Sequence, residues 1–354
     1  MKKVILMLCM LASVLNLNAA SKKKDVEENI KKEIKPAYKQ KVPEGEPVEM
    51  REIWGWVMQS RLNEFDNEYP LTDVGLFSAE VDCYGNLCGI PDRNRLAGYT
   101  GRVHLVIVCD SKSLTHFVLD PKFGLRDKMV QDIMKAVEPF DGLNVDYELI
   151  PGKDSANFMR FLEKLSAECK KKDKMFTVCV PARVKTISDD IFPYKKIASI
   201  SDRVMIMAYD EHWSTSKPGS VASTEWCKKI VDYAVTVIPE EKLVMGIPFY
   251  GRSWANEKVA QAWYWEGVNR IIDEYDAGKV VYMNDVPTVD INMKVKANVW
   301  FEDAFSTVSK MRIYKDTGVN MIAFWRVGQE DRNVWNWMKI HDPLHQEPLE
   351  IDNK

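Results

Sequence analysis

Eight short runs of apolar and β-branched residues recur from Arg51 onward, and most give way to a stretch of helical period. They span residues 53–59, 74–79, 103–109, 143–148, 176–181, 204–209, 243–250 and 321–325. Amphipathic stretches lie between several of them, at 128–137, 155–170, 225–237 and 305–317. A strand–helix alternation repeated eight times is what an α/β chain needs to close as a (β/α)₈ TIM barrel. The competing architecture, a doubly wound open sheet, usually has fewer strands and often carries a glycine-rich phosphate loop after the first. No such loop follows residues 53–59, so the barrel is the expected fold.

Residues 255–298 are too long for a plain connection after the seventh run, and they contain strand-like pieces at 280–283 and 291–295. They predict a small insertion packed beside the mouth of the barrel. The barrel domain is expected over 50–340, with a tail at 341–354. Ahead of it, residues 21–49 are rich in Lys, Glu and Pro and read as a solvated polar linker, with a short helix around 25–34. Lys2 and Lys3 precede an apolar run at 4–17, and Asn18-Ala19-Ala20 follows it. That pattern is a secretory signal peptide over 1–20 and predicts export to periplasm, cell surface or medium. The run is too short to hold a bilayer, so no stable membrane insertion is expected after cleavage. Lys22–Lys24 read as a solvated start of the mature chain.

Lys+Arg 49 against Asp+Glu 52 leaves no basic excess to draw in nucleic acid. With Cys9 in the leader, Cys83 and Cys88 flank a turn and are expected to close a disulfide across a hairpin. Cys109 and Cys179 sit in apolar runs and read as buried thiols. The cysteines and the five His show no metal-ligand spacing, and no metal or cofactor is implied.

Catalytic groups in such a barrel stand at the C-terminal ends of strands. The fourth run ends in Asp141-Gly-Leu-Asn-Val-Asp-Tyr-Glu148. Side chains alternate along a strand, so Leu143, Val145 and Tyr147 share one face and Asn144, Asp146 and Glu148 the other. The apolar set belongs against the helices, which turns the polar set inward. Two acids two residues apart stand about 6–7 Å apart along a strand. Burial and like charge then raise the pKa of one of them, which suits a general acid. Glu148, nearer the mouth, is the natural donor to a leaving oxygen, and Asp146 its partner one step deeper.

The motif Asp141-Gly-Leu-Asn-Val-Asp-Tyr-Glu148 resembles the Asp-Gly-x-Asp-x-Asp-x-Glu signature of glycoside hydrolase family 18, the chitinase-like barrels. Met207-Ala-Tyr209-Asp210 looks like that family's Met-x-Tyr-Asp motif on strand six. Gly246-Ile-Pro-Phe-Tyr250-Gly-Arg252 is similar to its strand-seven motif, and Phe324-Trp325-Arg326 stands in the place of its strand-eight tryptophan. The resemblance covers roughly Arg51 to Met338. Asn144 stands where most chitinases have Asp. The stretches 207–213 and 246–254 resemble bacterial wall- and spore-cortex-lytic members, N-acetylglucosaminidases acting on peptidoglycan. Those members often carry small wall-binding repeats, for which residues 21–49 are too short and too polar.

The resemblance implies a retaining hydrolysis of β-1,4 bonds in which the substrate's own 2-acetamido group is the nucleophile. Glu148 would be general acid and base, Asp146 would orient the acetamido nitrogen, and Tyr209 would hold its carbonyl oxygen. Trp325 would floor the sugar. Asp210, Tyr250 and Arg252 would bond sugar hydroxyls, although a surface ion pair is the other reading of Arg252. Met207 would shape the floor, and Asp141 would anchor its strand. Asn144 would donate to the Asp146 carboxylate. His212 reads as a loop hydrogen-bonder. Trp54 and Trp56 either line the cleft or pack the barrel, and Trp263, Tyr264 and Trp265 either form an outer stacking subsite or the core of the insertion. The implied partner is a polysaccharide containing N-acetylglucosamine, peptidoglycan or chitin-like. A non-catalytic sugar-binding member of the same family is the alternative. Members that only bind sugar typically lack the acid, whereas this chain keeps Glu148, Asp146 and Tyr209.

Overall fold

The computed structural model describes residues 37–255, 259–292 and 296–341. The expected leader at 1–20, Lys22–Lys24, the helix around 25–34 and the tail beyond His341 lie outside these residues. Eight parallel strands form the body: β1 (Glu52–Met58), β2 (Asp73–Val81), β3 (Arg102–Cys109), β4 (Gly142–Tyr147), β5 (Met175–Pro181), β6 (Arg203–Met207), β7 (Leu243–Pro248) and β8 (Met321–Trp325). Each pairs with the next, and β8 pairs with β1 to close the sheet. The fold is the (β/α)₈ barrel, with one expected run on each strand. Around it stand α1 (Lys112–Leu119), α2 (Arg126–Ala136), α3 (Ser155–Lys171), α4 (Tyr194–Ile200), α5 (Thr224–Ala234) and α7 (Ala304–Asp316), while α6 (Trp265–Glu274) belongs to the insertion. The first two crossovers carry only short 3₁₀ helices, Gln59–Glu64 and Arg93–Leu96.

Local sequence explains why these helices form and which face they bury. In α3, Phe158, Phe161, Leu162 and Leu165 recur at the three- and four-residue spacing of one helical face, and all four are fully buried. Each such side chain contributes about 1.5–3 kcal/mol on leaving water. Ser223 caps α5 by accepting from Trp226 N, and Asp303 with Ser306 forms a reciprocal capping box on α7. Leu143, Val145 and Tyr147 of β4 pack outward into the same core as α3. The barrel interior is a separate apolar cluster built on Trp54, Trp56, Val106, Cys179, Met205, Val244, Met321 and Ala323. Trp54 and Trp56 therefore pack the barrel. The Trp54 ring lies 4.4 Å from that of His104.

The lower end of the barrel is closed by charge. Asp73 is fully buried and accepts from His104 Nε2 at 2.7 Å and from Arg102 Nε and Nη2 at 2.7 and 2.8 Å. Glu52 accepts from Arg203 and from Trp54 Nε1. Burial pushes both carboxyls up, but the hydrogen bonds and charges of these partners outweigh it and leave both below the ordinary carboxylate range.

The insertion is an antiparallel sheet that begins at Gly251, four residues earlier than expected. Its strands are Gly251–Ala255, Val259–Trp263, Asp276–Ala277, Val281–Met283, Val286–Asn292 and Lys296–Trp300. Trp265, Val268, Ile271, Val289, Ile291, Val299 and Phe301 make its core, with Trp263 packed against them. Trp263 and Trp265 are thus core residues, while Tyr264 is exposed beneath the Arg326 guanidinium. Residues 37–49, expected as the end of a solvated linker, form a strap anchored by a few buried contacts to the insertion and the barrel. Tyr38 stands edge-on to Trp265 and Phe301 and donates to Asp303, and Gln40 donates to Asp331. Val48–Met50 pairs in parallel with Met338–Ile340.

The expected Cys83–Cys88 disulfide is not formed; both thiols are free and exposed. The hairpin pairs Glu80 with Cys88 and Val81 with Leu87, so Cys83 stands in the turn and not opposite Cys88. The Asp82 carboxylate fixes that turn by accepting from the backbone N–H groups of Tyr84 and Asn86. Cys88 faces the Glu80 carbonyl instead.

A second buried ion pair tests the packing outside the barrel. Lys310 and Glu302 are both buried and bond at 2.7 Å, with Ser306 Oγ donating to the same carboxylate oxygen at 2.6 Å. Lys310→Met should lower unfolding stability by about 3–5 kcal/mol in urea titrations, because Glu302 is left charged without its cation. The pair Lys310→Met with Glu302→Leu should recover most of that loss.

Candidate active site

β4 supplies the centre of the site. Asn144 and Asp146 point into the barrel, and Glu148, just past the strand, continues their face to the mouth. Asn144 is fully buried. Its Nδ2 donates to Thr177 Oγ1 at 2.8 Å and to Met205 Sδ at 3.3 Å, and its Oδ1 accepts from Trp56 Nε1 and Cys179 Sγ at 3.3 and 3.4 Å. The expected bond from Asn144 to Asp146 is therefore absent: both amide hydrogens are committed elsewhere. Asn144 lies under the cleft, outside its lining.

Asp146 is buried, and its inward Oδ1 has no hydrogen-bond partner. Burial first, and the Glu148 charge second, push the Asp146 carboxyl well above the ordinary range. Glu148 opens to solvent at the mouth, yet the surrounding walls desolvate its carboxyl. That desolvation, with the charges of Asp210 and Asp110, raises it too. Two carboxyls so placed do not both ionise readily.

The remaining groups come from the ends of β6, β7 and β8. Tyr209 stands beyond β6, its phenol pushed up by burial and then by the Asp146 charge. Asp210 has a left-handed backbone (φ 62°), and its Oδ1 accepts from Tyr250 OH at 2.6 Å and from Arg252 Nε and Nη2 at 3.1 and 2.6 Å. These three residues form one knot, which includes the ion pair anticipated for Arg252. Trp325 ends β8 with its ring 4.7 Å from Phe77 and 6.1 Å from Trp56. Asp146, Glu148, Met207, Tyr209, Asp210, Tyr250, Arg252 and Trp325 all line one cleft of about 490 Å³. Two residues outside the cleft also find partners: Asp141 accepts from Val103 N at 2.7 Å, and His212 Nδ1 lies 2.8 Å from Ser220 O.

Pro181, Ala182, Trp226 and Ala262 line the same cleft and escaped sequence reasoning. Pro181 ends β5 and Ala182 follows it, so the strand-end rule alone points to them. Trp226 lies in the first turn of α5, where no pattern separates a cleft residue from a packed one. Ala262 is chemically silent. Among the described residues, His116, Asp120 and Asp154 bring three possible metal ligands together, but Lys153 Nζ lies 3.0 Å from His116 Nε2 and sets an ammonium against the same ring.

The knot has a titration consequence. Arg252→Ala removes the cation that offsets Asp210, so Glu148 should titrate at higher pH than in the wild type. Asp210→Asn should move it lower. Carbon-13 carboxyl NMR titrations of Glu148 read both directions.

Comparison with known proteins places this geometry. Residues 118–330 match the model of "Glycosyl hydrolases family 18". The chain is 28% identical over 204 residues to "Uncharacterized glycosylase YvbX" of Bacillus subtilis (strain 168), covering 55% of this chain and 59% of that protein. It is 25% identical over 228 residues to the "Cortical fragment-lytic enzyme" of Bacillus anthracis, covering 60% of this chain and 52% of the other. The chain thus spans between half and three-fifths of these relatives' length. Its fold matches the crystal structure of the Bacillus cereus spore cortex-lytic enzyme SleL with a TM-score of 0.72 at 21% identity, covering 85% of this chain and 77% of that one. The chitinase of Chromobacterium violaceum ATCC 12472 matches with a TM-score of 0.70 at 22% identity, covering 80% and 96%. With its family model matched over more than half its length, the chain belongs to family 18 of the glycosyl hydrolases.

Proposed function

We propose that this protein is a retaining glycosidase that cuts β-1,4 bonds next to N-acetylglucosamine, with the substrate's 2-acetamido group as nucleophile. The observation that carries the reading is the pairing of a raised acid at the mouth, Glu148, with a buried carboxylate, Asp146, in one cleft. Glu148 gives its proton to the glycosidic oxygen as the bond from that oxygen to the anomeric carbon breaks. The acetamido carbonyl oxygen closes on the anomeric carbon and forms an oxazolinium ion. Asp146 accepts the acetamido N–H and offsets the positive charge that develops. Tyr209 donates to the acetamido carbonyl oxygen, and Trp325 supplies an apolar floor. Glu148, now ionised, takes a proton from water as its oxygen opens the ring, which restores the acid with net retention. The Asp210–Tyr250–Arg252 knot presents polar atoms to the sugar hydroxyls.

The relatives' cortical fragment-lytic activity favours peptidoglycan as the polymer. The basic and apolar start at 1–20 favours export to where that polymer lies. Residues 50–340 then constitute the catalytic domain, with the insertion that begins at Gly251 as one wall.

Peptidoglycan and chitin oligomers digested in parallel, with new reducing ends read by mass spectrometry, test the reading. Wild type should release fragments ending in N-acetylglucosamine, and Glu148→Gln should lower turnover by about 10²–10⁴-fold. Sugar binding by both proteins with cutting by neither would make this a sugar-binding protein instead. Asn144→Asp places a new carboxyl against Cys179 and Asp146. It should move the acid limb of the pH profile to higher pH without abolishing activity. Complete loss of turnover in the folded variant would contradict that assignment.

A further inference from the structure

β5 and β6 stay paired up to Pro181 and Met207 and part beyond them. Tyr209, just past β6, leans toward β7: a Cβ on Gly246 would come within 3.1 Å of its ring, and it stands edge-on to Tyr250 at 6.2 Å. The gap between the ends of β5 and β6 is lined by Pro181 and Ala182 and closed behind by Trp226. Met207 and Trp325 pack on the barrel's interior cluster, whereas Ala182 and Trp226 pack on the outer core beneath the helices. The cleft therefore runs outward through this gap and ends on the indole. Trp226 lies in the first turn of α5, where side chains tilt back toward the helix N-terminus and so toward the mouth. Ser223 Oγ accepts from its backbone N–H at 3.3 Å, and Ser223 N donates to Glu211 Oε2 at 2.8 Å, which ties that turn to the residue after Asp210.

We propose that Trp226 is a specificity-determining residue that sets the length of the N-acyl group the site accepts. The assignment deepens the glycosidase reading and rests on it. In that reading Asp146 of β4 accepts the amide N–H and Tyr209 beyond β6 donates to the carbonyl oxygen. The amide then lies across the end of β5, the strand between them. Its carbonyl carbon has three substituents. The nitrogen leads back to the sugar ring and the oxygen closes on the anomeric carbon, so the third, the methyl group, points away from the ring. That direction leads over Pro181 and Ala182 to Trp226, and all three surfaces are apolar. The polar groups of the rim, Asp210, Tyr250 and Arg252, stand at the ends of β6 and β7 instead. Each methylene added to the acyl chain must displace the indole or lift the amide off Asp146 and Tyr209. One methylene in an apolar pocket is worth about 10–200-fold in discrimination.

Glucosamine oligomers carrying N-acetyl, N-propanoyl or N-butanoyl groups test the assignment, with kcat/KM read for each. Wild type should lose about 10-fold or more for each methylene added. Trp226→Ala should cut that loss to about 3-fold or less. Trp226→Leu, which keeps apolar mass on the core, should fall between the two. An acyl preference that is the same in wild type and the folded variants, or no preference in wild type, would reduce Trp226 to packing and overturn the proposal. Calorimetric binding of the same oligomers to Glu148→Gln, with and without Trp226→Ala, reads the preference without turnover. Wild type that bound these oligomers and cut none would overturn the glycosidase reading, while the binding ratios would still decide what Trp226 does. No binding to any of them would overturn both.

Discussion

Putting one carboxylate out of water beside another is the constraint around which the upper half of this barrel is arranged. Asp146 stands on the inner face of a strand whose other face is core, and it meets the cleft beside Glu148. Burial and the neighbouring acid both raise its carboxyl, so the cost of its charge is lowered by protonation. The neighbours follow from that. Thr177, Met205 and Trp56 hold the Asn144 amide away from the acids, and Tyr250 with Arg252 absorbs the charge of Asp210 at the rim.

The two ends of the barrel solve the same problem in opposite ways. Below, Asp73 and Glu52 meet Arg102, Arg203 and His104, and each oxygen has a cation or donor within reach. Those carboxylates are satisfied and therefore inert. Above, compensation is deliberately incomplete: Asp146 is buried beside another acid, and Glu148 faces Asp110 and Asp210, which repel its charge. Unsatisfied electrostatics is free energy held available for a ligand. This polarity agrees with the general rule that chemistry gathers at the C-terminal ends of barrel strands and stability at the other.

Much of this was readable from residues because it depends on period and order. Eight runs and the inward face of β4 follow from alternation alone, and they place Asp146 and Glu148 together. What alternation does not give is which neighbour a polar group chooses. Asn144 can donate to several partners, and only the register of β5 and β6 puts Thr177 and Met205 nearer than Asp146. The same register turns Cys179, apolar by composition, into a polar contact. Residues 37–49 looked solvated because their few anchors, such as Tyr38 and Gln40, are isolated in sequence and find partners more than 200 residues away. The hairpin cysteines misled for a related reason: five positions of separation suggested closeness, but the pairing register set Cys88 against Glu80.

The strap has a mechanical meaning. Val48–Met50 and Met338–Ile340 lie side by side in parallel, so the chain leaves them toward opposite ends of the pair. A pull between the two flanking segments would load the backbone hydrogen bonds of that ladder together, in shear, rather than peeling them one at a time. The barrel would be shielded until the clasp gave way. Tension reaching the chain through both segments would meet this clasp first, before the strands that carry the cleft.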